Sequence, residues 1–198
     1  MTVSVAFNPQ LTTSPENSFV LESNGWMQGM ELDNQPSRVQ LEQGSLISTA
    51  TAPVWGGVMV NQIIPTVNEN ALGNTIQLAT AQEDQFAFVV GSRAYNMMIL
   101  PGNSVPLAYP GMSVMYYPNG KWARIPVQCS SSLATALENG LVSQTVYWDF
   151  TNQVLTNTGT TALPCRVKGF NSNSLIINYD SGTGLYTWTT GTCALIEF

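Results

Sequence analysis

The chain has 198 residues, of which 9% are charged, and its formal net charge is −6 because twelve carboxylates outnumber six basic residues. It contains no histidine, which is the usual acid–base group near neutral pH and the commonest ligand of catalytic metals. This composition excludes Ser-His and Cys-His catalytic pairs, and six basic residues are too few to neutralise many nucleic-acid phosphates. We therefore predict a protein that acts by contact, with no enzymatic activity, no cofactor and no nucleic-acid partner.

Membrane and redox signals point the same way. No stretch approaches the roughly 20 apolar residues that span a bilayer, and the first seven residues lack the basic start and apolar run of a signal peptide. We expect no membrane partner. The three cysteines, Cys129, Cys165 and Cys193, are odd in number and widely spaced, which predicts reduced, mostly buried thiols in a protein made in a cytoplasm.

Residues 1–43 form a predicted extended N-terminal arm. Three X-Pro pairs interrupt it, and proline disfavours helix in the residue before it. Two interpretations stay open: a linker that straddles its own domain, or a segment that docks on a neighbouring chain. The second makes the scattered apolar residues of the arm candidate interface residues: Phe7, Leu11, Phe19, Trp26, Met27 and Met30.

Residues 44–198 form a predicted β-rich domain. Short apolar or β-branched runs separated by turn residues are typical of an all-β sandwich or barrel. We expect an antiparallel, jelly-roll-like fold with one short helix. The first predicted strands cover residues 46–50, 55–60, 75–79 and 86–90, followed by an apolar run at 97–100.

Two hairpins are predicted further along. Residues 114–117 and 122–127 surround Pro118-Asn119-Gly120-Lys121, a turn in which proline restricts φ and Asn-Gly accepts positive φ. Pro126 lacks an amide hydrogen, so it predicts a sheet edge. The second hairpin pairs residues 175–179 with 185–189 around the turn at 180–184. This turn contains a GxG sequence, but strands on both sides of it argue against a phosphate-binding loop.

The remaining elements are one helix and two strands. Ser130, Ser131 and Ser132 offer a helix N-cap, Leu133 and Leu137 form an apolar pair, and Gly140 suits the helix end. Alternating apolar residues predict a half-buried strand at 146–150 that includes Trp148. A final strand is expected at 194–198.

Chemistry-bearing residues form no recognisable catalytic or metal-binding pattern. The carboxylates have no EF-hand spacing, although a calcium ion held by carbonyls and one or two carboxylates stays possible, as does Ser-Lys or paired-carboxylate chemistry. The close basic pairs Lys121 with Arg124 and Arg166 with Lys168 are expected to be solvated strand faces. Among five tryptophans, Trp122 is predicted to be the most exposed, which also permits stacking on a sugar.

Several glycine-and-aromatic segments resemble one protein family. These segments are residues 44–50 (GSLISTA) leading to 55–58 (WGGV), 96–105 (NMMILPGNSV), 110–114 (PGMSV), 119–122 (NGKW), 140–142 (GLV) and 146–149 (VYWD). Together, over residues 44–198, they resemble the structural cement, or capsid decoration, proteins of tailed bacteriophages. No catalytic or cofactor residue is implied by this resemblance.

The resemblance implies a virion protein on the outer surface of a phage capsid, made in the host bacterial cytoplasm. Its expected partner is the major capsid protein, whose neighbouring subunits it would bridge as a homo-oligomer, a dimer or a trimer. The alternative is a tail-associated or receptor-binding virion β-domain that binds a host-surface glycan or protein.

Overall fold

The computed structural model describes residues 25–32, 41–63, 74–91, 97–99 and 101–198. Within these ranges the protein is mostly β-structure with one short helix, so the all-β prediction is confirmed. No helix in the described ranges has the length and apolarity that crossing a membrane requires. The elements in chain order are β1 (Glu42–Leu46), β2 (Met59–Ile63), β3 (Asn74–Leu78), β4 (Phe86–Val89), β5 (Ser113–Pro118), β6 (Arg124–Gln128), α1 (Ser131–Glu138), β7 (Tyr147–Asp149), β8 (Val154–Thr156), β9 (Arg166–Asp180) and β10 (Leu185–Glu197).

Five strands close into a barrel in the order β1-β3-β2-β4-β5. The β1–β3 pair is parallel, whereas the other pairs of the barrel are antiparallel. The expectation of an antiparallel fold is therefore wrong at this one pair. The barrel interior is a core of aliphatic side chains and one tyrosine: Leu46, Val54, Val58, Val60, Ile76, Ala87, Val89, Ala108, Val114 and Tyr116.

A three-stranded sheet in the order β6-β10-β9 packs against the outside of the barrel. Their shared core joins barrel residues such as Phe86 and Phe88 to sheet residues such as Ile196 and Phe198. The rings of Phe88 and Phe198 lie 4.8 Å apart. The helix α1 and the β7–β8 pair complete this core through Leu133, Leu137, Trp148 and Leu155.

The predicted hairpin between residues 114 and 127 is wrong in its pairing. Its two strands exist as β5 and β6, but β5 pairs with β1 and β4, whereas β6 pairs with β10. Because both edges of β5 are occupied inside the closed barrel, the turn delivers the chain to a different sheet. Trp122 adopts a φ of 57° at this exit, a conformation that a bulky aromatic residue rarely takes.

Most of the other local predictions are confirmed. The second hairpin pairs Asp180 with Leu185 and extends over most of β9 and β10. In α1, the Ser130 hydroxyl accepts a hydrogen bond from the Leu133 amide. Pro126 lies on β6, which pairs only with β10 among the described strands. Strands β1 and β2 are displaced along the chain from the predicted 46–50 and 55–60, and the short strand β8 was not predicted.

Candidate interaction surfaces

Residues 25–30, hereafter the clasp segment, connect the sheet to the barrel. The Trp26 carbonyl accepts a hydrogen bond from the Leu175 amide at 2.7 Å, and the Gln28 amide donates to the Leu175 carbonyl at 2.8 Å. One residue later, the Gly29 amide donates to the Pro126 carbonyl at 2.8 Å and its carbonyl accepts from the Gly91 amide at 2.8 Å. The clasp segment therefore binds β9, β6 and a barrel loop of its own chain.

Glycine is required where the clasp segment passes the barrel. Gly29 has a φ of +72°, and a Cβ at this position would lie 2.3 Å from the Gly56 carbonyl carbon. A Cβ on Gly56 would in turn lie 2.7 Å from the Gly91 Cα. No larger residue fits between these backbones without moving them.

The six predicted interface residues fall into two groups. Phe7, Leu11 and Phe19 lie outside the described residues. Trp26, Met27 and Met30 belong to the clasp segment and are half-buried, with the Met27 amide directed at the Met30 sulfur at 3.2 Å. The structure thus brings these three together on their own domain, and their contact with another chain stays a prediction.

Sequence reasoning missed Gln28, the most buried side chain of the clasp segment. It is only 1% exposed, and its Oε1 accepts a hydrogen bond from the Ile177 amide at 3.0 Å. A glutamine among apolar residues gives no sequence signal for this role, since the partner is a backbone amide about 150 residues away.

A second feature, the Trp122 surface, lies where β6, β9 and β10 meet the turn at 118–121. We define it by Lys121, Trp122, Arg124, Cys165, Arg166, Lys168, Glu197 and Phe198. Trp122 is 68% exposed, the largest exposure among the described large hydrophobic residues. It borders an open groove of about 500 Å³ lined by Asn119, Gly120, Trp122, Pro164, Cys165, Arg166, Glu197 and Phe198.

Positive charge is concentrated on the Trp122 surface. Four of the six basic residues of the chain lie here, and three of them surround one carboxylate. In the strand register, Glu197 on the central strand β10 lies opposite Arg124 on β6 and opposite Arg166 on β9. Lys168 forms an ion pair with the same carboxylate. Four basic side chains against one carboxylate side chain leave this surface with an excess of three positive side-chain charges on an acidic protein.

Glu197 fixes two of these cations in place. Its side chain is 8% exposed, and it accepts from Arg124 Nε at 2.8 Å and from Lys168 Nζ at 2.9 Å. The hydrogen bond from Lys168, opposed by burial and reinforced by Arg124, lowers the pKa of Glu197 below its usual 4.5. The carboxylate is therefore ionised at neutral pH and organises the surface.

The groove continues beside exposed apolar residues. A neighbouring groove of about 550 Å³ shares Cys165 and Arg166 with the first and is also lined by Val142, Ser143, Gln144 and Thr145. Leu141 and Val142 are both exposed at this end. The two open grooves adjoin at Cys165 and Arg166, so together they suit an extended ligand better than a compact one.

The described cysteines and two of the described carboxylates have pKa values shifted by their surroundings. Burial raises the pKa of each of Cys129, Cys165 and Cys193 to about 12, so the nucleophilic thiolate is scarce at neutral pH. Hydrogen bonds from Asn152 lower the pKa of Asp149. Hydrogen bonds from Thr183 and Gly182 lower the pKa of Asp180. Each carboxylate thus accepts hydrogen bonds within its own turn. Among the described residues no group of three or more histidine, cysteine or acidic side chains is arranged to hold a metal ion.

The Trp122 surface was only partly predicted. The exposure of Trp122 and the burial of Trp148 are confirmed. The two basic pairs were predicted to be solvated strand faces, and their four side chains are exposed. The sequence did not indicate that the pairing of β6 and β9 with β10 brings Arg124, Arg166 and Lys168 onto one surface. The sequence signal for this cluster was Glu197, the single acid near the end of the last predicted strand. An acid on a central strand attracts cations from the strands on both sides.

No protein-family model, curated protein or solved structure matches this chain.

Proposed function

We propose that this chain is a structural protein of a phage virion that binds the outer surface of the capsid, bridges major capsid subunits and stabilises the shell. The Trp122 surface is the observation that supports this best. An exposed tryptophan among arginines is suited to protein contact, because tryptophan and arginine dominate binding energies at interfaces. The resemblance to capsid decoration proteins supplies the identity of the partner.

The charge of the protein favours an outer location. At a net charge of −6, the chain is repelled by packaged DNA, whereas the outer face of a shell imposes no such repulsion. The Trp122 surface is the described region where that sign is reversed, so it sets the orientation in which the protein approaches an acidic surface. On this proposal the protein is made in the host cytoplasm and then resides on the virion.

A homo-oligomer, a dimer or a trimer, forms part of the proposal. Modest contacts become tight when one oligomer engages several capsid subunits together. The arm before the clasp segment would add a contact through Phe7, Leu11 and Phe19, either to the capsid or to a sister subunit. The jelly-roll-like arrangement likewise remains a prediction.

Co-sedimentation with shells assembled from the cognate major capsid protein tests this proposal. We expect the full chain to pellet with shells at saturable stoichiometry and the W122S variant to pellet about tenfold more weakly. The I99S variant is the matched control, because Ile99 is 60% exposed and lies outside the Trp122 surface. A protein that stays in the supernatant at every concentration would refute capsid binding.

The second candidate is a tail-associated or receptor-binding domain, and one observation favours it. Trp122 stands beside Asn119 and Arg166 in an open groove, and a flat exposed indole next to hydrogen-bonding groups also suits a sugar ring. This candidate predicts that purified protein adheres to host cells and that soluble host glycan releases it.

A further inference from the structure

We propose that the Trp122 surface binds an extended acidic polypeptide segment, with a partner carboxylate on Arg166 and a partner apolar side chain on Trp122. This inference rests on the proposed function, because it names the chemistry of the capsid element that the protein would contact.

The positive charge of the Trp122 surface is complementary to an acidic partner. The side chains of the Trp122 surface have an excess of three positive charges, whereas the side chains of the whole chain sum to −6. An acidic segment is attracted at this surface and repelled by the acidic remainder, which gives one docking orientation. The low number of cations also suits a peptide with a few carboxylates better than a nucleic acid, whose binding requires many neutralised phosphates.

The cations of the Trp122 surface differ in whether they form an ion pair with Glu197. Arg124 and Lys168 bind Glu197, whereas Arg166 is exposed and forms no ion pair within the described residues. Arg166 lines both grooves, so a partner carboxylate in either groove can reach its guanidinium. A guanidinium binds a carboxylate through two parallel hydrogen bonds, which lysine cannot reproduce.

An exposed apolar side chain, Trp122, lies in the same groove as Arg166. Trp122 remains largely exposed in a rare backbone conformation, a combination that serves no purpose in the described cores. Phe198 and Cys165 line the same groove and provide an apolar floor. A partner side chain placed there is shielded from water, which strengthens the adjacent carboxylate–Arg166 contact.

Two adjoining grooves favour an extended ligand over a compact one. The two grooves share Cys165 and Arg166; one is also lined by Trp122 and the other by Val142. A peptide that crosses them can place an apolar residue at Trp122, a carboxylate at Arg166 and a second apolar residue near Val142. In an extended strand every second side chain points to the same face, so these three contacts fall at positions i, i+2 and i+4 of the peptide, and the residues between them face away from the surface.

Titration calorimetry with two synthetic peptides tests the inference. The probe is a blocked decapeptide in which leucine and glutamate alternate at the odd positions and serine fills the even positions, and its control replaces each glutamate by glutamine. We expect the glutamate peptide to bind the full chain and to bind more weakly as salt rises, while the glutamine peptide binds at least about tenfold more weakly. Quenching of Trp122 fluorescence, absent in W122S, would locate the peptide.

Three variants separate the contributions. R166Q should weaken glutamate-peptide binding about tenfold, R166K should recover only part of that loss, and I99S should bind like the parent chain. Far-ultraviolet circular dichroism establishes that each variant is folded. Equal binding of both peptides, no binding of either, unchanged binding by R166Q, or tighter binding of polygalacturonate than of the glutamate peptide would overturn the inference.

Failure of the acidic-segment inference can be distinguished from failure of the proposed function. If R166Q fails to bind the peptide but still decorates shells like the parent chain, the acidic-segment inference is wrong and capsid binding stands. If the peptide binds as expected and the protein ignores shells, the chemistry of the surface is right and the capsid is the wrong partner.

Discussion

Lys168 and Glu197 form an ion pair of 2.9 Å between the outer strand β9 and the central strand β10, with the carboxylate buried and the ammonium partly exposed. Arg124 reaches the same carboxylate from the opposite strand. The pair therefore does more than join two strands: it anchors the base of the Trp122 surface and leaves Arg166 to face the groove.

Replacement of Glu197 by glutamine tests this anchoring. Because the pKa of Glu197 is lowered in the folded protein, ionised Glu197 stabilises the fold above its unfolded pKa near 4.5, and this contribution is lost as pH falls through the lower folded value. We expect E197Q to lose about 1–2 kcal/mol of unfolding free energy at pH 7 and a smaller amount at pH 3, where more of Glu197 is protonated.

Urea unfolding of E197Q at the two pH values measures this difference. Glu83, which lies in an exposed loop, supplies the control variant E83Q. A loss in E197Q that is the same at pH 7 and pH 3 would show that the carboxylate charge is not the cause.

The glycine crossing at the clasp segment predicts a stability difference between two alanine variants. Gly29 and Gly111 have similar φ values, +72° and +83°, but a Cβ on Gly111 meets nothing within 4 Å. G111A should therefore cost only the backbone strain, about 1 kcal/mol, whereas G29A adds a backbone clash and should cost about 3 kcal/mol or more. Equal unfolding midpoints in urea would show that the clasp segment does not pack this closely.

Gln153 predicts a strong effect of a polar side chain in the core. Its Oε1 accepts from Trp148 Nε1 at 3.1 Å, and its Nε2 donates to the Ala79 and Phe150 carbonyls, both at 2.9 Å. Q153A leaves these groups unpaired and should cost about 3 kcal/mol. Because Gln153 has a φ of 56°, Q153G relieves the backbone and should recover about 1 kcal/mol of that loss. Thermal unfolding of the two variants checks the order, and a Q153G less stable than Q153A would contradict it.

Thiol reactivity provides a test of the three cysteines, of which Cys129 and Cys193 are buried and Cys165 is partly buried. Burial raises the pKa of all three thiols to about 12, so we expect almost no reaction with a disulfide reagent at pH 8 in the folded protein. In guanidinium chloride the same protein should release three equivalents at once. Rapid reaction of any thiol without denaturant would show that its side chain is accessible.

Local signals explain which parts of the fold were predictable. The turn at Asp180 pairs strands that adjoin in sequence, and the Ser130 cap acts within one helical turn, so both could be derived from neighbouring residues. The turn after Pro118 has equally strong local chemistry, yet its strands separate because β1 and β4 compete successfully for the edges of β5. The parallel β1–β3 pair brings together segments about 30 residues apart and has no local signature.

The candidate site follows the same rule. The exposure of Trp122 was predictable from the charged residues around it on one strand. The clustering of Arg124, Arg166 and Glu197 was not, because it depends on the register of three strands whose residues are up to 73 positions apart.

Electron microscopy of shells incubated with the purified protein is the most direct test of capsid binding. The account predicts additional density on the outer face of the shell between neighbouring major capsid subunits, with the end of the sheet that bears Trp122 turned toward the capsid. The same density should be strongly reduced with W122S and retained with I99S. Density confined to the tail, or shells that remain bare at saturating protein, would contradict the account.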